Sequence, residues 1–308
     1  MARPKVTVVG SSNIDMVVRA QAIPRAGETL LGGDFAMVPG GKGANQAVCA
    51  AKLGAQATLV ARVGDDVFGQ TSLANLRGVG VDTTFVTADP GVPSGVALIV
   101  VDARGENAIV VAPGANMALT PADVDRARDA IAASDVVVLQ LEIPPETVDH
   151  AVEVAHSCGV RVVLNPAPIR NVSLDTLAKV DVLVPNQHEV AGLLGLSGGG
   201  GDLDAQTAAR ELISMGASAA VITLGARGAY AAGDGVGGFV PAFEVEAVDT
   251  TAAGDAFTAS LACALAEGSG LMDAARFAAR VAAISVTRLG AQPSMPTRDE
   301  VDSFPVGN

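Results

Sequence analysis

The chain has 308 residues, 49% hydrophobic and 17% charged, which supplies ample material for a buried core and no signature of disorder. Its net charge of −13 argues against general affinity for nucleic acid or an anionic membrane, because either partner would be repelled at long range. The N-terminal MARPK runs directly into the strand-like VTVVG with no signal-like or membrane-spanning apolar stretch, so the expectation is one cytoplasmic domain spanning 1–308.

Taken in chain order, Val/Ile/Leu-rich runs at 6–10, 58–63, 135–139, 160–165, 182–185 and 219–224 predict strands. Between them lie Ala-rich segments of helical length at 43–53, 121–133, 145–158, 203–215, 254–267 and 271–288. The helix from 121 has the clearest opening, with Thr120 as cap and Pro121 at the first helical position. This alternation predicts an α/β fold of three layers, α/β/α, with a mostly parallel central sheet. Two segments, 13–40 and 93–113, break the alternation and read as antiparallel strands of a small β-lid, the second pair joined by a turn at Asp102–Asn107. The run SGGGG at 197–201 lacks the Lys-Ser/Thr that follows a phosphate loop and reads as a flexible connection. Cys49, Cys158 and Cys263 lie in apolar surroundings without zinc-site spacing and read as buried, reduced thiols. The histidines His150, His156 and His188 are too dispersed for a metal cluster.

Chemistry concentrates in two Gly-containing segments that precede helices. In Val248-Asp249-Thr250-Thr251-Ala252-Ala253-Gly254-Asp255-Ala256-Phe257, small residues let backbone N–H groups converge at a helix N-terminus, where free donors and the macrodipole attract phosphate. Asp255 in the first helical turn reads either as a cap or as the carboxylate that deprotonates an acceptor hydroxyl. In Pro39-Gly40-Gly41-Lys42-Gly43-Ala44-Asn45-Gln46-Ala47, glycines surround one of only four lysines beside an amide, a set suited to polyol hydroxyls or to a tight turn.

As a pair, GGKGANQA and DTTAAGDAF resemble the signatures of the ribokinase, or PfkB, family of carbohydrate kinases. Weaker matches continue through Gly10–Asp15, Gln140–Glu142, Asn165–Pro168, Pro185–Glu189, Thr223–Gly228 and Thr287–Ser294, so the resemblance covers essentially the whole chain. It implies Asp255 as catalytic base with Ala252, Ala253 and Gly254 as the backbone of an anion hole. It further implies Asn13, Asp15, Gly41, Lys42, Asn45 and Glu142 on the sugar, and Thr223, Gly225 and Gly228 in the nucleotide loop with Asn186 and Gly254 beside them. Asn186 and Glu189 would organise Mg²⁺, largely through water. A K⁺ site would draw on Asp249, Thr251, Ser285, Arg288, Gly290 and Ser294. Local readings stand beside these: Asn13 and Asp15 as turn formers, Glu142 as a cap of the helix after Pro144-Pro145, Asn186 and Glu189 as helix-start residues, Asp249 as a strand end.

The activity so implied is ATP-dependent phosphorylation of D-ribose at its 5-hydroxyl, in a homodimer packed through the lid. Kinases of fructose, 2-keto-3-deoxygluconate, deoxyribose or a nucleoside, and a non-catalytic sugar-binding regulator, are the alternatives. Ala252 stands where many members carry Gly, implying a stiffer loop. The stretch Arg276–Arg280 offers small or apolar groups where a polar side chain would face adenine.

Overall fold

The computed structural model describes residues 3–196, 203–233 and 235–305, so the expected connection at 197–201 lies outside the described residues. Thirteen strands are present among them: β1 Lys5–Val9, β2 Asn13–Arg19, β3 Phe35–Gly40, β4 Gln56–Gly64, β5 Asp82–Asp89, β6 Gly95–Val101 and β7 Asn107–Ala112 in the first part. The second part adds β8 Val136–Leu139, β9 Arg161–Leu164, β10 Val182–Leu183, β11 Ala219–Thr223, β12 Ala229–Gly233 and β13 Val236–Val240.

Nine of them form one sheet in the order β13-β12-β11-β10-β9-β8-β1-β4-β5. Every pair from β5 to β11 is parallel, and only the β11–β12–β13 edge is antiparallel. The central strands, such as β8 (VVVL) and β9 (RVVL), are short and apolar on both faces because both faces are covered. Val8, Val136 and Val138 belong to one core with the helices Lys42–Lys52, Ala253–Ala266 and Leu271–Ser285, whereas Val9, Val137 and Leu139 belong to the other with Pro145–Ser157 and Ala205–Ser214. That odd–even division is the period of two expected of strand side chains. The helix Ala253–Ala266 is buried from Asp255 to Leu265, and its small side chains allow close packing in the layer that carries Lys42.

The remaining strands make a second sheet in the order β3-β2-β6-β7. Each hairpin, β2–β3 and β6–β7, is antiparallel as expected, but the central seam β2–β6 is parallel, from Asn13↔Gly95 to Arg19↔Val101. The reason lies in the connections. β2 follows β1 after three residues and β6 follows β5 after five, both leaving the same end of the large sheet in the same direction. At the β6–β7 turn, the Asp102 carboxylate accepts from the N–H groups of Arg104 and Glu106 at 2.8 and 3.0 Å.

Three further expectations change. The helix expected over 121–133 is two pieces, Pro121–Arg126 and Arg128–Ala132, because Ala127 (φ −93°, ψ 4°) leaves the helical region; the Thr120–Asp123 capping box does open the first. Strand β5 and helix Val67–Gly78 were not expected, since DTTFVTAD is polar in alternation at the sheet edge and the helix interior carries a glycine. Cys49 and Cys263 are buried, but Cys158 is only partly so, because it caps the C-terminus of Pro145–Ser157 where the chain turns at Gly159.

Candidate active site

The carboxyl ends of the parallel strands open into a cavity of about 230 Å³ whose walls include Lys42, Asn186, Glu189, Ala253, Gly254 and Asp255. Its floor is the start of the helix Ala253–Ala266. Ala252 holds the left-handed conformation there (φ 58°, ψ 14°), and no side chain caps the helix. A left-handed alanine costs about 1–2 kcal/mol, a strain that turns the chain sharply enough to aim the first N–H groups outward. The Ala253 N–H donates to the Thr250 carbonyl at 3.2 Å, so that part of the expected anion hole is already engaged. No acceptor among the described residues meets the N–H of Gly254 or Asp255, and these two face the cavity with the dipole behind them.

Asp255 is 4% exposed. Its Oδ2 accepts from Asn45 Nδ2 at 2.9 Å and its Oδ1 from Gln46 Nε2 at 3.1 Å. Burial pushes its pKa up, while Lys42 and the two amides pull the other way. Lys42 sits in the first turn of Lys42–Lys52, and burial weakens its charge less than the carboxylates of Asp255, Glu142, Glu189 and Asp15 strengthen it, so its pKa is raised and it stays protonated. Four carboxylates around one ammonium leave a site that accepts further positive charge.

Of the residues expected on the sugar only Lys42 lines this cavity; Asn13, Asp15, Gly41, Asn45 and Glu142 lie beside it, where the two sheets meet. Gly41 (φ 86°) is pressed so close that a side chain there would meet the Asn13 nitrogen at 2.7 Å, which explains the glycine before Lys42. With no capping side chain of its own, that helix start is met by Glu142, whose Oε2 accepts from Lys42 N at 3.1 Å and from Ser11 Oγ at 2.5 Å. Glu142 therefore does not cap Pro145–Ser157, the helix that follows it and that the local reading gave it; it meets the start of a helix 100 residues away in sequence. The Asn13 Oδ1 is occupied by Asn116 Nδ2 at 2.6 Å, which leaves the NH₂ end of Asn13 for a ligand. Asp15 follows on the same face of β2, and burial, then the charges of Glu142 and Asp255, push its pKa up to about 6.

On the opposite wall Asn186 and Glu189 form a capping box. Glu189 N donates to Asn186 Oδ1 at 2.9 Å, and Asn186 N and Nδ2 each donate to Glu189 at 2.8 Å. Both Glu189 oxygens are therefore occupied at the cavity edge, and burial raises its pKa. Thr223 also reaches the cavity; Gly225 and Gly228 do not line it and instead shape the turn after β11, with φ of 59° and 95°.

The C-terminal segment docks behind the loop. Asp249 accepts from Thr251 N at 2.9 Å and from Gly290 N at 2.8 Å, and Arg288 N donates to the Ser285 carbonyl at 3.1 Å. The Ser294 hydroxyl donates to the Ala291 carbonyl at 2.7 Å. Among the described residues no group of three His, Cys, Asp or Glu side chains gathers as a metal cluster. Within 276–280 Arg276 is exposed while Ala278 and Ala279 are buried; the Arg298 guanidinium lies 4.9 Å from the Phe277 ring centroid, and Arg280 donates to the Phe304 carbonyl.

Sequence reasoning gave no role to Gln46, Gln140, Asn165 or Gln292, all buried around Asp255 and Asn45. The available signal was a lone polar residue closing an apolar strand, as Gln140 follows VVVL and Asn165 follows RVVL.

Comparison with known proteins adds to this geometry. The pfkB family of carbohydrate kinases matches residues 3–298. The chain is similar to a ribokinase of Bacillus subtilis, 43% identical over 299 residues, 97% of this chain and 98% of the other. It is similar also to a deoxyribokinase of Salmonella typhi, 39% identical over 300 residues, with 97% and 98% covered. Among solved structures it resembles Arabidopsis thaliana ribokinase complexed with ribose and ATP, with a TM-score of 0.88, 31% identity, and 97% and 98% of the two chains covered.

Proposed function

The chain belongs to the pfkB family of carbohydrate kinases, and we propose that within it the protein transfers the terminal phosphoryl group of ATP to the 5-hydroxyl of D-ribose. The observation that carries this reading is Asp255, held by two amides beside the Gly254 and Asp255 N–H groups, which meet no acceptor among the described residues at that helix start. Asp255 takes the proton of the attacking hydroxyl, and the N–H groups of Gly254 and Asp255 with the Lys42 ammonium receive charge on the transferring phosphoryl. The Asn13 amide, Asp15, Gly41, Lys42, Asn45 and Glu142 hold the other sugar hydroxyls, beneath the small sheet as a lid.

ATP lies along Asn186, Thr223 and the turn at Gly225 and Gly228. Mg²⁺ fits the Glu189 side of the cavity through water, because both Glu189 oxygens already accept hydrogen bonds. When bound, it neutralises phosphate charge beside a site rich in carboxylates. K⁺ would be held behind the loop by the Asp249 carboxylate, the carbonyls near Thr251, Ser285, Arg288 and Gly290 and the Ser294 hydroxyl, the oxygen donors a hard cation needs; Asp249 already joins Thr251 and Gly290 there. The outer face of the small sheet exposes Phe35, Met37, Leu98 and Val110, an apolar patch suited to a second copy of the chain. Use of ATP argues for the cytoplasm; among the described residues no helix is long and apolar enough to cross a membrane.

The second reading, phosphorylation of 2-deoxyribose, is favoured by the similarity to the Salmonella deoxyribokinase. A panel of ribose, 2-deoxyribose and fructose separates them. Ribose is expected to give the highest kcat/KM, because buried partners of the 2-hydroxyl are left unpaired by the deoxy sugar. Asp255→Asn is expected to lower kcat by about two to four orders of magnitude with ribose binding retained. Near-normal turnover of a folded Asp255→Asn protein refutes the base.

A further inference from the structure

The carboxylate of Asp255 is the end point of a buried chain of amides that the reaction chemistry does not itself require. Gln46 Nε2 donates to Asp255 Oδ1 at 3.1 Å and to Asn165 Oδ1 at 3.5 Å, so its NH₂ end faces two acceptors. An amide can present either end, and a reversed Gln46 would set its carbonyl against a carboxylate. What prevents reversal is Gln140, whose Nε2 donates to Gln46 Oε1 at 2.5 Å. Gln46 and Gln140 are 0% exposed, and neither lines the cavity. Gln140 enters through a gap left by a glycine: a side chain at Gly10 would meet Gln140 Oε1 at 2.0 Å. Among the described residues the Oε1 itself meets no partner, so Gln140 leaves a buried acceptor unsatisfied while its other end meets Gln46.

We propose that Gln46 and Gln140 are positioning residues for phosphoryl transfer: Gln140 fixes the direction of the Gln46 amide, and Gln46, with Asn45, fixes the rotation of the Asp255 carboxylate. This rests on the reading of Asp255 as the base. With each oxygen holding one N–H bond, the carboxylate cannot turn about its Cβ–Cγ bond, and the remaining lone pairs keep one direction towards the acceptor hydroxyl. The effect belongs to the chemical step, where a small misplacement of the base is costly, and not to sugar affinity.

Gln→Met keeps an unbranched side chain of similar size and removes the polar end, so the test compares Gln46→Met, Gln140→Met, the double variant and Asp255→Asn with the parent chain. Each folded protein is assayed for kcat and for KM with ribose and ATP, together with its Tm. Gln46→Met is expected to lose about 10- to 100-fold in kcat with KM for ribose within about twofold. Gln140→Met, which touches neither Asp255 nor the cavity, is expected to lose about 3- to 10-fold in the same parameter. Because Gln140 acts only through Gln46, the double variant is expected to be no slower than Gln46→Met alone. Parent-like kcat in Gln46→Met, or losses that multiply in the double variant, overturns the proposal, as does a fall in Tm with kcat unchanged. If Gln46→Met does not fold, parent-like kcat in Gln140→Met overturns it alone. Asp255→Asn separates the two readings: a severe kcat loss there beside parent-like Gln variants refutes the positioning and leaves the base standing.

Discussion

Asp15 illustrates a side chain kept at a cost to folding. Burial and the charges of Glu142 and Asp255 raise its pKa from 3.8 to about 6. Between those two pH values the folded chain holds a proton that the unfolded chain has released, so the penalty grows as pH rises through the window and is complete above it. The displacement corresponds to ~2–3 kcal/mol against folding at neutral pH. Asp15→Asn is therefore expected to raise Tm by several degrees at pH 8 in the absence of sugar and to have little effect below pH of about 4, while weakening ribose binding. A thermal-shift series across pH checks it; a Tm gain that does not change with pH removes the electrostatic explanation. Ala252 is the comparable case in the backbone, a left-handed non-glycine residue at the loop that aims the Gly254 and Asp255 N–H groups.

The loop before Ala253–Ala266 and the segment at 285–294 behave as one element, joined by Asp249 through Thr251 and Gly290 and by the bonds of Val248 and Asp249 N–H to the Val286 carbonyl. A large monovalent cation held by their carbonyls would stiffen the loop and act on turnover. At constant ionic strength, replacing K⁺ by Na⁺ or a tetraalkylammonium ion is expected to lower kcat of the parent chain and to have much less effect on Asp249→Ala. No K⁺ activation in the parent refutes the site; unchanged activation in Asp249→Ala refutes its ligand. How far such elements were legible depended on locality. The DTTAAGDAF and GGKGANQA runs carry their geometry in adjacent residues, and their helices begin within one residue of expectation. The parallel seam between β2 and β6 was not legible, because it joins strands about 80 residues apart and only the connections decide its direction. The amide chain around Asp255 was hidden for the same reason: Gln46, Gln140, Asn165 and Gln292 are unremarkable singly and meet only in the fold.

For the whole molecule, the small sheet carries a clustered apolar outer surface. Phe35, Met37, Leu98 and Val110 are 53–68% exposed on one face of it. Pairing two copies there would cover them, and Met37→Glu with Leu98→Glu is expected to shift the mass in sedimentation from two chains to one. A parent chain that sediments as a monomer refutes the pairing. The large sheet offers a different kind of probe through its cysteines. Cys49 and Cys263 are buried in the same core layer, one on the helix that carries Lys42 and the other on the helix that carries Asp255, and burial pushes their thiols up, Cys263 to about 12. Cys49 Sγ lies 3.7 Å from the Ala256 carbonyl of the other helix and Cys263 is enclosed in the same layer, so alkylation becomes a clock for the opening of that layer, with the partly exposed Cys158 as its unprotected reference. One thiol is expected to react quickly and two slowly, and saturating ribose with ATP is expected to slow the second phase further. Three equal rates would mean that the layer opens freely.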